Sequence, residues 1–167
     1  MHNNRCGDLD PYILVYLMEV CGYTLEQVKR MLNTESGLLG MSGVSNDMRD
    51  VEHAADAGNA DARIALNSYC YQIKKYIGAY AAAMGGVDAV AFTGGVGENS
   101  ALVRRKCLEG LSFLGVAIDE TKNEGCVCDC ELTGAGSRAR VFAIAANEEL
   151  VVARKAKSFL ETARRRA

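Results

Sequence analysis

Two rhythms of apolar and polar positions run along this chain, one with helical spacing and one of short apolar runs bounded by turn residues. Over residues 59–84, alanine, isoleucine and tyrosine recur at helical spacing until Gly85 and Gly86 stop the pattern, which predicts one long helix of roughly seven turns. Residues 12–20 are apolar almost all round and predict a buried helix, with the chain's only proline, Pro11, suited to its first turn. Thr24 and Gln27 form a capping-box pattern at the head of a second helix that runs to about Leu32. Residues 36–45 are too rich in glycine and serine for a helix and read as a loop carrying local structure, and a short helix follows over residues 50–57. Residues 88–93 are short, apolar and bounded by glycine, as expected of a buried parallel strand, and residues 141–146 predict a second buried strand. Between them lie a glycine turn at Gly94–Asn99, a helix over residues 100–111, a further short strand over residues 114–118, and a polar hairpin or loop excursion over residues 120–138. Asn147 suits the N-cap of a last helix over residues 148–163, where Glu148 and Glu149 complement the dipole. No repeat or linker interrupts the pattern. These elements make an α/β domain, helix-rich with few strands and too few for a complete sheet, which suggests a piece of a larger fold.

Composition narrows the function classes. The 167 residues are 49% hydrophobic and 24% charged, the balance of a soluble globular protein with one core. A net charge of -2 with both signs interspersed argues against a nucleic-acid partner, and the terminal run Arg164, Arg165 and Arg166 reads as a solvated helix end. No stretch approaches the roughly 18 apolar residues of a membrane span, and no signal core is seen at the N-terminus, so a cytoplasmic protein is expected. Seven cysteines without a secretory signal read as reduced thiols. Cys126, Cys128 and Cys130 share one face of an extended segment, but zinc usually wants two separated pairs, so the spacing argues against a metal site.

Candidate chemistry lies at the glycines and the nearby acids and arginines. Gly94, Gly95, Val96, Gly97, Glu98 and Asn99 sit between a buried strand and a helix, where bare backbone lets a ligand approach closely. The run lacks the lysine of a P-loop and the full G-x-G-x-x-G spacing, so a tight turn is the competing reading. Residues 42–50 combine small residues with Asp47, Met48 and Arg49 at a helix start, where capping by Ser45 or Asp47 competes with a ligand role. Arg5 stands near Asp8 and Asp10, which would suit a surface ion pair.

Four motifs, taken together, carry a family resemblance: R-C-G-D-L-D-P at residues 5–11, S-G-L-L-G-M-S-G-V-S-N-D-M-R-D at 36–50, F-T-G-G-V-G-E-N-S at 92–100 with V-R following, and N-E-E-L-V-V-A-R at 147–154. In identity, order and spacing this set resembles the acetate kinases, with propionate kinases and, less completely, butyrate kinases sharing parts of it. The resemblance implies the fold of sugar kinases, Hsp70 and actin, in which two RNase H-like domains hold a nucleotide between them. Residues 1–167 would then be the C-terminal part of the second, nucleotide-binding domain, with the N-terminal domain absent.

By the same resemblance the activity is ATP:acetate phosphotransfer, forming acetyl phosphate and ADP reversibly. Arg5 would stabilise the transferring phosphoryl group. Asp47, Met48, Arg49 and residues Gly94 to Glu98, with Asn99 adjoining, would line the nucleotide site, and Glu148 would help hold Mg²⁺. The residue types suit a reaction that depends on positioning and charge stabilisation. Acetate or propionate and ATP are the implied small-molecule partners, with a homodimer and neither nucleic acid nor membrane. An incomplete set of catalytic groups implies that the chain binds nucleotide without turning over alone. Alternatives are a propionate kinase, or a nucleotide-binding and dimerisation module without catalysis. A more distant member of the same superfamily is disfavoured by four motifs in register. Before Arg5 the chain reads Met1-His2-Asn3-Asn4, where the family usually has glycine and threonine.

Overall fold

The long helix predicted from the repeat of small and apolar residues is the spine of the molecule. The structure is a computed structural model that describes residues 2–127 and 129–164, with side chains through residue 160. Helix α5 (Ala60–Met84) is capped by Asn59, whose Oδ1 accepts from the Ala62 N–H at 3.0 Å, and ends at Gly85 in the left-handed region. Its Ala62, Ala65, Leu66 and Cys70 fall three to four residues apart and are buried. That stripe packs against α3 (Gly37–Ser42), α4 (Met48–Asp56) and α7 (Ala101–Leu108). Leu38, Met48, Val51, Val103, Cys107 and Leu108 complete this layer of the core. Each large apolar side chain so buried contributes about 1.5–3 kcal/mol.

Against the helices lies a sheet of order β1-β3-β2 among the described residues. Strand β1 (Ala89–Phe92) runs parallel to β3 (Arg140–Ala143), with Phe92 opposite Ala143, and β2 (Cys130–Glu131) pairs antiparallel to β3. Phe92, Val141 and Ala143 are buried, whereas Ala89 and Ala91 are exposed. Strand β1 is thus parallel, as expected, but only partly buried, because the face that carries Ala89 and Ala91 is left uncovered among the described residues.

Several expectations need correction. Helix α1 (Tyr12–Glu19) has the predicted position but no buried residue, and its main packing is beside α2 (Leu25–Thr34). The capping box of α2 is present in full, with Thr24 and Gln27 bonding reciprocally. Within residues 36–45, read as a loop carrying local structure, Gly37–Ser42 form the helix α3. Its glycines serve close approach instead of flexibility: a Cβ on Gly37 would meet the His2 carbonyl oxygen at 2.1 Å, and one on Gly40 the Glu35 carbonyl at 2.6 Å. The N–H groups of Leu38 and Leu39, which a helix start leaves without partners, donate to the carbonyls of His2 and Asn3 at 2.9 and 3.1 Å.

Farther on, the glycine run Gly94–Asn99 is a short helix, α6, and α7 ends at Leu108, short of the predicted residue 111. Over residues 114–118 the chain leaves a 3₁₀ turn (Ser112–Leu114) and makes two isolated bridges, Val116 with Ala139 and Ile118 with Thr133, instead of a strand. The excursion over residues 120–138 contains the short helix α8 (Glu120–Glu124) as well as β2. Asn147 has φ +47° and meets α9 (Glu148–Arg164) through its carbonyl, which accepts from the Leu150 N–H at 3.1 Å. A side-chain cap needs extended backbone at that position, which this torsion denies. Cys6, Cys21, Cys70 and Cys107 are free thiols. Cys128 of the cysteine cluster, and Arg165 and Arg166 of the basic run, lie outside the described residues. Among the described residues no helix is long and apolar enough to cross a membrane.

The close approach at Gly37 gives a stability prediction. Gly37→Ala, at φ +64° and with the N-terminal segment in its way, should cost ~2–4 kcal/mol. Gly43→Ala has a similar torsion, φ +63°, but open space around it, and should cost only ~1–2 kcal/mol. Denaturant unfolding of the two variants compares them, and equal costs would mean that the His2 contact is not tight.

Candidate functional site

At the carboxyl end of β1 the chain leaves the sheet, and there a cavity opens. It measures about 990 Å³ and is lined by three segments that are far apart in sequence. Residues His2, Asn3 and Asn4 form one wall, the start of α4 with Asn46, Asp47, Met48, Arg49 and Glu52 a second, and residues 93–97 with Asn99 and Ser100 a third, while Tyr69 of α5 adds to the lining. Ligands of parallel α/β folds bind at such strand ends.

Each wall has a local cause. Asp47 caps α4, its Oδ1 accepting from the Arg49 N–H at 2.9 Å, and it also pairs with the Arg49 guanidinium at 2.5 Å. Capping and lining are therefore both true of Asp47. The Arg49 hydrogen bonds beside it hold its carboxyl well below the usual range, at about 2, and push Arg49 up in turn. Arg49 is exposed and Asp47 half-buried, and the pair is ionised throughout the neutral range. Ser45 supports the turn from behind, accepting from the Asp47 N–H at 3.0 Å and donating to Asp50 at 2.8 Å. Burial raises the Tyr69 hydroxyl above its ordinary value.

On the opposite wall, α6 presents little but backbone. Gly94 has φ +72°, and neither Gly94 nor Gly95 has any atom within 4 Å of where a Cβ would stand, so that space is open. Gly97 is small for another reason, since its own Cβ would come within 3.3 Å of the Phe92 backbone. Asn99 donates to the Gly95 carbonyl at 2.8 Å and Ser100 caps α7, accepting from Val103 at 3.0 Å. The Ser100 hydroxyl also donates to Glu52 at 2.5 Å, which ties the two walls together.

Of the residues singled out from sequence, Asp47, Met48, Arg49, Gly94, Gly95, Val96, Gly97 and Asn99 meet in this cavity. Glu98 does not face it. Its carboxylate accepts from the Ala146 N–H at 3.0 Å and so binds α6 to the segment that leads into α9. Arg5 follows directly on Asn4 of the cavity wall and is exposed. The ion pair that its sequence neighbours suggested is not formed: Asp8 accepts from the Tyr76 hydroxyl and Asp10 from the Tyr12 N–H at 2.9 Å. Glu148 is exposed in the first turn of α9, and no group of three metal-ligating side chains occurs among the described residues.

Sequence reasoning missed Glu52, Tyr69, Ser100, Arg104 and Asn123. Glu52 and Ser100 had readable signals, since Glu52 lies one turn beyond Met48 on the same helix face and Ser100 precedes a helix. Arg104 stands in the V-R that follows the 92–100 motif, but its partnership with Asn123 spans nineteen positions and had no local signal.

Comparison with known proteins agrees with this geometry. The model of the acetokinase family matches residues 1–154. The acetate kinase of Methanosarcina thermophila is 45% identical over 158 residues, covering 95% of this chain and 39% of the relative. The crystal structure of Porphyromonas gingivalis acetate kinase matches with a TM-score of 0.87 at 42% identity, over 96% of this chain and 40% of that one. A propionate kinase from Francisella tularensis matches with a TM-score of 0.81 at 35% identity, over 89% of this chain and 38% of that one. The chain thus spans about two fifths of the length of the relatives it matches, and its fold is that of the corresponding part of the sugar kinase, Hsp70 and actin superfamily.

Proposed function

We propose, from the premise that this chain belongs to the acetokinase family, that it supplies the nucleotide-facing part of an ATP:acetate phosphotransferase. Residues 1–167 would be the C-terminal part of its second domain. The observation that carries the reading is the cavity at the end of β1, where the Asp47–Arg49 segment and the α6 glycines converge from distant parts of the chain. Its volume of about 990 Å³ is ample for a nucleotide. Bare backbone at Gly94 and Gly95 suits a flat base or sugar, and Asp47, Arg49 and Asn99 offer polar groups to orient it.

In the reaction a carboxylate oxygen attacks the γ-phosphorus of ATP, a new P–O bond forms, and the bond to the ADP oxygen breaks. Arg5, exposed and without an ion-pair partner among the described residues, would stabilise the charge that builds up on the transferring group. Glu148 offers one exposed hard oxygen at the head of α9. That fits magnesium, which commonly takes one or two carboxylates and completes its shell with phosphates and water. When bound, the ion would neutralise phosphate charge. Exposed apolar residues on α1, among them Tyr12, Ile13, Val15 and Tyr16, support a homodimer. The cytoplasm is the compartment proposed. Acetate kinases at 45–49% identity among its relatives support acetate as the acceptor.

A chimera tests this. This chain should replace the matching 39% of the Methanosarcina thermophila acetate kinase. The chimera should form acetyl phosphate from ATP and acetate, whereas the 167-residue chain alone should bind nucleotide without turnover. A folded chimera that binds ATP and gives no acetyl phosphate would leave the nucleotide-binding module as the better reading.

A further inference from the structure

Arg104 is among the largest fully buried side chains of the molecule, at 1% exposure, and the nucleotide reading gives it no part. No carboxylate pairs with it among the described residues. Every acceptor it uses is an amide oxygen. Nη1 donates to the carbonyls of Gly97 and Glu98 at 2.9 and 2.8 Å, Nε to Oδ1 of Asn123 at 2.7 Å, and Nη2 to the Asn123 carbonyl at 2.8 Å. Asn123, also 1% exposed, is fixed in turn by donating from Nδ2 to the Ala101 carbonyl at 2.9 Å.

Burying a cation without a counter-ion is costly, and it persists only where fixed dipoles replace the lost water. Here two of the dipoles belong to α6, from Gly97 of the cavity wall and its neighbour Glu98. Ser100 is extended, with φ -104° and ψ 102°, so the chain breaks helix between α6 and α7. The last carbonyls of α6 therefore lack helical partners of their own. The segment that carries them contains three glycines, Gly94, Gly95 and Gly97, and has little side-chain packing to hold its shape. The planar guanidinium reaches two of these carbonyls and the α8 anchor at once, a geometry a lysine ammonium cannot reproduce.

We propose that Arg104 is a positioning residue for the cavity, with Asn123 as its anchor: the pair clamps the α6 carbonyls from behind so that the Gly94–Gly95 backbone keeps the shape that accepts a nucleotide. The proposal rests on the nucleotide reading above. Arg104 itself does not line the cavity, so its effect passes through the backbone alone.

The test uses the purified chain, its Arg104→Lys and Asn123→Ala variants, and calorimetric titration with Mg-ATP, Mg-ADP and AMP, alongside thermal melting and amide hydrogen exchange. Both variants should weaken all three nucleotides by a similar factor, about tenfold for Arg104→Lys. Exchange at the amides of residues 95–99 should quicken while other core amides keep their protection. Either variant suffices if the other does not fold. Unchanged affinity in the folded fraction, with melting alone lowered, would reduce Arg104 to core packing and overturn the proposal. A loss that grows from AMP to ATP would overturn it too, since it would mean that Arg104 acts on phosphate charge directly. If the unaltered chain binds none of the three, the nucleotide reading fails and not merely the clamp.

Discussion

In the acetate kinase chimera, Arg5→Ala should lower the rate of acetyl phosphate formation by about a thousandfold, with nucleotide affinity changed by no more than about threefold. The asymmetry follows from what the side chain does in the folded chain. Arg5 lies directly beyond the cavity wall made by His2, Asn3 and Asn4, it is exposed, and both nearby acids are engaged elsewhere, Asp8 by Tyr76 and Asp10 by the start of α1. A cation free in this way contributes little to ground-state packing, so its removal should leave melting nearly unchanged. Its value lies in the charge that develops during transfer, and an interaction stronger there than in the ground state lowers turnover more than binding. Arg5→Lys should recover only part of the rate, because one ammonium cannot hold two oxygens in the fork of a guanidinium. Steady-state kinetics of the chimera and both variants provide the check. A rate unchanged by Arg5→Ala would return the residue to the surface.

Gly95→Ala should have the second largest effect, and it separates a turn glycine from a ligand glycine. Nothing in the folded chain requires glycine at this position. Gly95 is absent from the positive-φ residues, and no atom lies within 4 Å of the place its Cβ would take, so an alanine fits the α6 backbone without strain. Alanine is also the better helix former by roughly 0.5–1 kcal/mol. Melting should therefore hold or rise slightly. If a nucleotide lies against that bare backbone, the added methyl group occupies its place, and affinity should fall at least about tenfold. Gly94→Ala is the less informative variant, because its φ of +72° adds backbone strain to any effect on binding.

Much of this molecule can be read from local pattern. The capping box at Thr24, the extent of α5 and the parallel character of β1 are set by residues near one another in sequence or by short apolar runs, and they stand as expected. The failures share a cause. Glycine reads locally as a sign of loop at residues 36–45 and of a turn at 94–99, yet at Gly37 it makes room for the His2 carbonyl, and at Gly97 for the Phe92 backbone. A contact made only in the fold, whether with the distant His2 or with Phe92 five residues back, has no signature in the glycine itself, so α3 and α6 are hidden behind their glycines. The same holds for α1, whose apolar surface implies a cover that α2 alone does not supply. Within the site, the lining segments are legible through their motifs. The tie from Ser100 to Glu52 and the clamp of Arg104 on Gly97 and Glu98 are not, because each joins elements whose adjacency only the fold creates.

The central claim is that the cavity between the start of α4 and α6 is a nucleotide site, and the most direct measurement is a calorimetric titration of the purified 167-residue chain with Mg-ATP, run beside its Gly95→Ala variant. Saturable binding to the unaltered chain, weakened at least about tenfold in a variant that melts no earlier, is the predicted result. Absence of binding to the folded chain, or equal affinity in the two proteins, would contradict it.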